Sequence, residues 1–253
     1  KALQAGTSHF FGTNFAEAYG IQFLSKEGKL EYAQETSWGV STRLIGAIIM
    51  THGDDRGLRL PPQVAPIQVV VLPIAAHKPG VLEGAKVIAD RLTAAGVRVK
   101  FDDRDTVSPG WKFNEWEMKG VPVRVEVGPR DLENNQVMVA RRDTFEKFAL
   151  PMDGLEGEIE ALLASIQKTM FEQARDFRDE HTVEVHNYEE LKAAVEGGFA
   201  KGMWCGGAAC EEKLKADINA TTRNMPFDQT PCGDTCCVCG KRATKLMYFA
   251  KAY

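Results

Sequence analysis

The sequence predicts a multidomain protein of mixed α+β and α/β character, and three observations carry that prediction. A β-branched run from Ile67 to Ile74 is followed by an apolar stripe at helical spacing and then by further short strands. A long amphipathic segment begins at Asp153. All six cysteines fall between Cys205 and Cys239, in the final fifth of a 253-residue chain. A strand–helix–strand–helix order followed by strands is the pattern of a mixed sheet flanked by helices.

Residues 1–65 alternate short apolar runs with glycine and polar clusters. The stretch from Phe10 to Ile21 reads as a strand edge or a loop, the turn from Ser25 to Lys29 follows, and Leu30 to Gln34 is the returning strand of a hairpin. The apolar run Leu44 to Thr51 is a buried strand or a helix, because periodicity does not separate the two over so few residues. Pro61 and Pro62 end this segment, and Ala65-Pro66 marks a linker.

Residues 66–150 change character. Ile67 to Ile74 has the length and composition of a buried parallel strand. Val81, Leu82, Ala85, Ile88, Ala89 and Leu92 form one helical stripe closed by Gly96. Val97 to Phe101 alternates, Trp111 to Lys119 is a second helix ending at Gly120, and Val121 to Val127 and Gln136 to Ala140 are further strands. In residues 151–253, Leu155, Ile159, Leu162, Leu163, Ile166, Met170 and Phe177 are the core stripe of a long helix. Another helix spans Tyr188 to Gly197, a polar stretch separates the cysteines, and the chain finishes in a short strand, KLMYFAKAY.

Composition excludes more than it identifies. The formal charge is −4, with 13 basic against 12 acidic side chains in residues 66–150 and 12 against 17 in residues 151–253. That balance argues against broad non-specific nucleic-acid binding and leaves room for a local site that reads a few nucleotides. No apolar run approaches the roughly 20 residues of a membrane span. The opening text, KALQAGTSHF, begins inside a functional-looking motif, as in the C-terminal portion of a longer polypeptide.

Three constellations carry chemistry. Cys205 and Cys210 enclose four residues, Cys236 and Cys239 enclose two, and Gly240 follows. Two clustered thiol pairs suit a tetrahedral ion, with zinc the natural choice in a closed structural site. Cys236 and Cys237 are adjacent, so either can partner Cys239, and the Cys-x-x-Cys-Gly spacing favours Cys236; Cys232 reads as a loop cysteine. Arg43 stands at the mouth of the apolar run, where an unpaired buried guanidinium is costly; it faces either an anionic ligand or a carboxylate such as Glu35 or Asp54. Gln4, Thr7 and His9, packed among glycines and phenylalanines, suit a small polar ligand held by directed hydrogen bonds.

The text TSH at Thr7, followed by FFGTNF, TSWGVSTR at Thr36 to Arg43, HGDD, LPP, SPGWKFNEWEMKGVPVRVEVGPRD and the cysteine-rich tail occur in a family-specific order. The chain resembles prolyl-tRNA synthetases of the eukaryotic and archaeal type, class II aminoacyl-tRNA synthetases, over nearly all its length. The resemblance implies three parts: the end of an antiparallel-sheet catalytic domain (1–65) with motif 3, an α/β anticodon-binding domain (66–150) and a small zinc-containing α/β domain (151–253). It implies a helix after Arg43. It also implies ATP contacts from Gln4, Thr7, Ser41 and Arg43, with Arg43 the catalytic arginine, and a proline pocket formed by His9, Trp38 and Thr42. Lys119, Glu126, Arg130 and Arg142 are the implied readers of the anticodon, whose guanines suit such donors and acceptors. Some relatives use a Cys-x-Cys pair, which would select Cys237.

The implied activity is ATP- and magnesium-dependent activation of proline and its transfer to tRNA(Pro), in a cytoplasmic homodimer. Motifs 1 and 2 are absent from this text, so the chain alone is expected to be inactive. The alternative is a non-catalytic tRNA-binding relative with a structural zinc module. In relatives the terminal aromatic packs toward the active site, which predicts a docked Tyr253.

Overall fold

The computed structural model describes residues 2–253. They form two compact units, one from residues 1–47 and 177–253 and one from residues 48–176. In the first unit, β1 (Thr7–Gly12) and β4 (Glu35–Gly39) form a two-stranded antiparallel ladder. Between them lie α1 (Asn14–Tyr19) and the hairpin of β2 (Gln22–Leu24) and β3 (Leu30–Tyr32). The hairpin follows the sequence reading; α1 does not, because six residues give too little periodicity to announce a helix. The apolar run after Thr42 is the helix α2 (Arg43–His52).

The second unit is a five-stranded mixed sheet. Its strands are β5 (Val69–Pro73), β6 (Val99–Phe101), β7 (Val123–Val127), β8 (Gln136–Arg141) and β9 (Lys147–Pro151), in the order β6-β5-β7-β8-β9. β6, β5 and β7 run parallel, and β8 and β9 are antiparallel additions. On one face Val69, Val71, Val125, Val137 and Val139 meet α3 (Val81–Ala94) and α6 (Leu155–Glu180). On the other, Val70 and Leu72 meet Trp116 of α4 (Pro109–Met118). Since side chains alternate along a strand, cover on both faces is why β5 reads as an unbroken apolar run.

α4 starts at Ser108, whose Oγ accepts from Trp111 N at 3.3 Å, with Pro109 in its first turn. Two expected stripe residues leave the core. Leu82 is partly exposed, and Phe177 is 63% exposed, stacked on His181 at 4.0 Å past the last buried turn of α6. A short helix, α5 (Pro129–Glu133), and the edge strand β9 were not legible.

The rest of the first unit is a four-stranded sheet of β10 (Thr182–Val185), β11 (Phe199–Trp204), β12 (Ala220–Asn224) and β13 (Lys245–Lys251), ordered β10-β11-β13-β12. Its helices are α7 (Tyr188–Gly197) and α8 (Ala208–Ile218). α7 and β13 match the sequence reading. The polar stretch between the cysteines is instead α8 and β12, with only Cys210, Leu214 and Ile218 buried on α8. Tyr253 donates its backbone N–H to Ala2 O at 3.0 Å while its side chain stays exposed, so only the backbone of this end is docked. Among the described residues no helix is long and apolar enough to cross a membrane.

Gly120, with φ +72, sits so close to Leu58 that a Cβ would lie 2.6 Å from the Leu58 Cβ. Gly120→Ala adds left-handed strain to a steric clash and is expected to cost on the order of 3 kcal/mol, read as a lower urea midpoint at unchanged m-value.

Candidate functional site

The first polar cluster lies where β1, β4 and α2 begin and end. The ladder register is Thr7↔Gly39, Ser8↔Trp38 and His9↔Ser37. Gln4 joins the elements: its Nε2 donates to Thr7 Oγ1 at 2.7 Å and its Oε1 accepts from Arg43 at 3.4 Å. Ser41 Oγ accepts from Arg43 N at 3.3 Å, opening α2. Gln4, Thr7, Ser41 and Arg43, scattered over 40 residues of sequence, thus meet, and Thr42 lies in the turn between the last two.

Arg43 is exposed rather than buried, a correction that follows from its place as the first residue of α2. It forms no ion pair among the described residues, and Asp54 is held by Arg142 instead. An exposed guanidinium that no carboxylate neutralises, at the N-terminal end of a helix, is a place for an anion such as a phosphate. His9 stacks on Phe11 at 5.3 Å. Strand alternation sends Trp38, paired with Ser8, to the face opposite His9, so the two do not wall one pocket as the sequence implied.

The second cluster is a cleft of about 230 Å³ between the end of β6 and α4. Asp102 is 2% exposed at its base. It accepts from Trp116 Nε1 at 2.8 Å and from Arg104 Nε at 2.8 Å, and Lys112 lies 3.6 Å from it. Burial alone pushes the Asp102 carboxyl up; Arg104, Trp116 and Lys112 together outweigh it and hold the group well below the usual carboxylate range. Arg104 also reaches Glu115 at 2.5 Å, and Glu115 takes Lys119 at 2.6 Å. Trp111, half exposed, stands beside Arg104 with 5.4 Å from guanidinium to ring. An exposed indole, cations and a carboxylate around one cleft can stack a base and read its edge.

Of the four expected RNA contacts, Lys119 lines this cleft and Arg130 is exposed on α5. The other two are corrected. Glu126 is buried between Arg124 at 3.0 Å and Lys147 at 2.7 Å, and Arg142 is buried against Asp54, since charges inside a fold need partners. Arg104 and Glu115 line the same cleft and Trp111 stands beside Arg104, though the sequence reading singled out none of the three. The signal was present: Trp111, Glu115 and Lys119 recur at four-residue spacing, on one face of α4.

The third cluster gathers the Sγ atoms of Cys205, Cys210, Cys236 and Cys239 within 4.8 Å of one another. Cys205 is 3.6 Å from Cys210 and 3.9 Å from Cys239. Four thiolates about 2.3 Å from a tetrahedral ion stand about 3.8 Å apart, so the spacing fits such an ion. The turn is built by Gly240, φ +70, whose N–H donates to Cys236 O at 2.8 Å. Cys237 points away, toward Gly202 on β11, and is outside the cluster. The Lys241 backbone N–H brings the Cys239 thiol down to about 7.

Comparison with known proteins completes the picture. A family model described as "Anticodon binding domain" matches residues 68–162, and one described as "Prolyl-tRNA synthetase, C-terminal" matches residues 188–253. Proteins named proline–tRNA ligase from Lachnospira eligens and Clostridium novyi are 55% and 56% identical, with 100% of this chain and 53% of each relative aligned. Over its whole length the chain is thus similar to proline–tRNA ligases, and its C-terminal end matches the C-terminal domain of prolyl-tRNA synthetases. A prolyl-tRNA synthetase from Cryptosporidium parvum, solved with L-proline and AMP, matches at a TM-score of 0.95 and 38% identity, covering 100% of this chain and 54% of that one. The chain therefore spans about half the length of the relatives it matches.

Asp102→Ala strips the partner from buried Lys112 and is expected to cost about 3–5 kcal/mol. Because the folded carboxyl is depressed, its stabilisation is complete above about pH 4 and is lost as pH falls below that. Thermal melts from about pH 7 to about pH 2 should show a larger acid loss for wild type than for the variant.

Proposed function

We propose that the protein bearing this chain is a proline–tRNA ligase, which joins proline to ATP as prolyl-adenylate and then passes it to tRNA(Pro). The observation that carries this reading is the hydrogen-bonded set of Arg43, Gln4 and Thr7, assembled at the start of α2. Attack of the proline carboxylate on the α-phosphorus builds negative charge on the departing pyrophosphate. Arg43 meets that charge, magnesium accompanies the ATP, and Gln4, Thr7 and Ser41 hold the nucleotide. His9 and Thr42 face the amino acid. No covalent enzyme intermediate is required; positioning and charge stabilisation supply the rate.

The division into a catalytic part (1–65), an anticodon-binding part (66–150) and a zinc-binding part (151–253) goes with this reading, except that α6 packs on the five-stranded sheet and so extends the anticodon-binding part past residue 150. RNA is read at the α4 cleft by Trp111, Arg104, Glu115 and Lys119, with Arg130, exposed on α5, a further contact. Cys205, Cys210, Cys236 and Cys239 hold a structural zinc ion that locks the loop after β11 to the turn before β13. A cytoplasmic homodimer is the assembly that accompanies such an enzyme.

Proline-dependent pyrophosphate exchange by the protein at its full native length tests the reading. Exchange is expected in wild type and falls about 10²–10³-fold in Arg43→Ala, the loss typical of a donor aimed at developing charge. Retained exchange in that variant refutes the role of Arg43, and tRNA(Pro) binding without any exchange points to a non-catalytic relative.

Metal analysis tests the cysteines separately. Cys236→Ser is expected to lose bound zinc and to melt earlier, whereas Cys237→Ser keeps its zinc. The reverse pattern would overturn the ligand set.

A further inference from the structure

The motif HGDDRGL, residues 52–58, has no role in the chemistry above, yet it is bonded along its length to the end of α4. Leu58 N donates to Met118 O at 2.9 Å, and Leu60 N donates to Gly120 O at 3.2 Å. Gly57, at φ +125, passes so near Met118 that a Cβ would lie 2.6 Å from its Cα. Asp54 takes both terminal nitrogens of Arg142, at 2.7 and 2.6 Å, and Arg142 Nε donates to Glu117 O at 2.9 Å. Arg56 stands 3.8 Å from the Glu117 carboxylate and 4.3 Å from the centre of the Phe145 ring.

The last carbonyls of a helix have no partner within it. Here Met118 O finds its partner in Leu58, and Glu117 O accepts from both Gly120 N and Arg142; a cation at a helix C-terminus also suits the helix dipole. The bidentate bond with Asp54 fixes the Arg142 guanidinium, which is 4% exposed, and Arg142 fixes the helix end. Trp111, Glu115 and Lys119 lie on that helix, so its placement sets the geometry of the cleft.

We propose that the 52–60 strap, through the Asp54–Arg142 pair, is a positioning device for the RNA-reading helix α4. Asp54 and Arg142 touch no RNA; they hold the helix that does. This rests on the reading of the α4 cleft as the RNA site.

The test is steady-state charging of tRNA(Pro) transcript by the full-length protein, with Asp54→Asn and Arg142→Lys compared with wild type. Asp54→Asn keeps the size of the side chain and removes the charge. It is expected to raise the KM for RNA about tenfold and to weaken discrimination against transcripts with a replaced anticodon base, while kcat and pyrophosphate exchange stay within about twofold. Arg142→Lys keeps the charge but not the fork and is expected to lie between. An unchanged KM in both variants overturns the proposal. So does a parallel fall in exchange, because that is the mark of general destabilisation. A wild-type protein that fails to charge RNA overturns the underlying reading and this proposal with it, an outcome visible before any variant is made.

Discussion

The second unit depends on keeping two charges out of water. Asp102 lies at the end of β6 and Arg142 at the end of β8, and both are bonded to α4 from opposite directions. Trp116 and Lys112 of α4 answer Asp102, while the Glu117 carbonyl and Asp54 answer Arg142. Breaking either arrangement leaves a buried charge without a partner, which costs more than an exposed pair contributes. Apolar packing of Trp116 against Val70 and Leu72 brings α4 to the sheet; the polar bonds determine how it is rotated and where it stops. The cleft and its exposed Trp111 follow from that placement.

The polar cluster of the first unit, around Gln4 and Arg43, is built differently. There the ladder is only two strands wide and Arg43 is exposed, so a short chain of side-chain hydrogen bonds does the aligning. Gln4 is the centre of it, an amide able to donate to Thr7 with one end and accept from Arg43 with the other. Such a site keeps its guanidinium available to an anion because no carboxylate neutralises it. The cysteine cluster follows a third rule. A helix start at Cys210 and a glycine-relieved turn at Cys236 to Gly240 deliver thiols from distant parts of one unit to a common point.

Much of this was legible in residue order. The run at Ile67 to Ile74, the stripe from Val81 to Leu92, the α6 stripe as far as Met170 and the two cysteine pairs all appear in the structure where spacing put them. What failed did so for identifiable reasons. α1 and α5 are too short for periodicity, and α8 buries only Cys210, Leu214 and Ile218, a stripe one residue wide. Glu126 and Arg142 looked like solvent-facing readers of RNA because sequence records charge but not the partner that allows burial. The family resemblance puts Trp38 and His9 in one pocket. Their strand register assigns them to opposite faces.

The sequence by itself determined the longer strands and helices, the resemblance and the chemical types available at each cluster, since these rest on local pattern and composition. Tertiary structure alone decided which carboxylate answers Arg142, and that Arg43 stands exposed beside Gln4. Each of those is a choice among chemically equivalent residues. Distance and burial make it, and neither is written in a one-dimensional order.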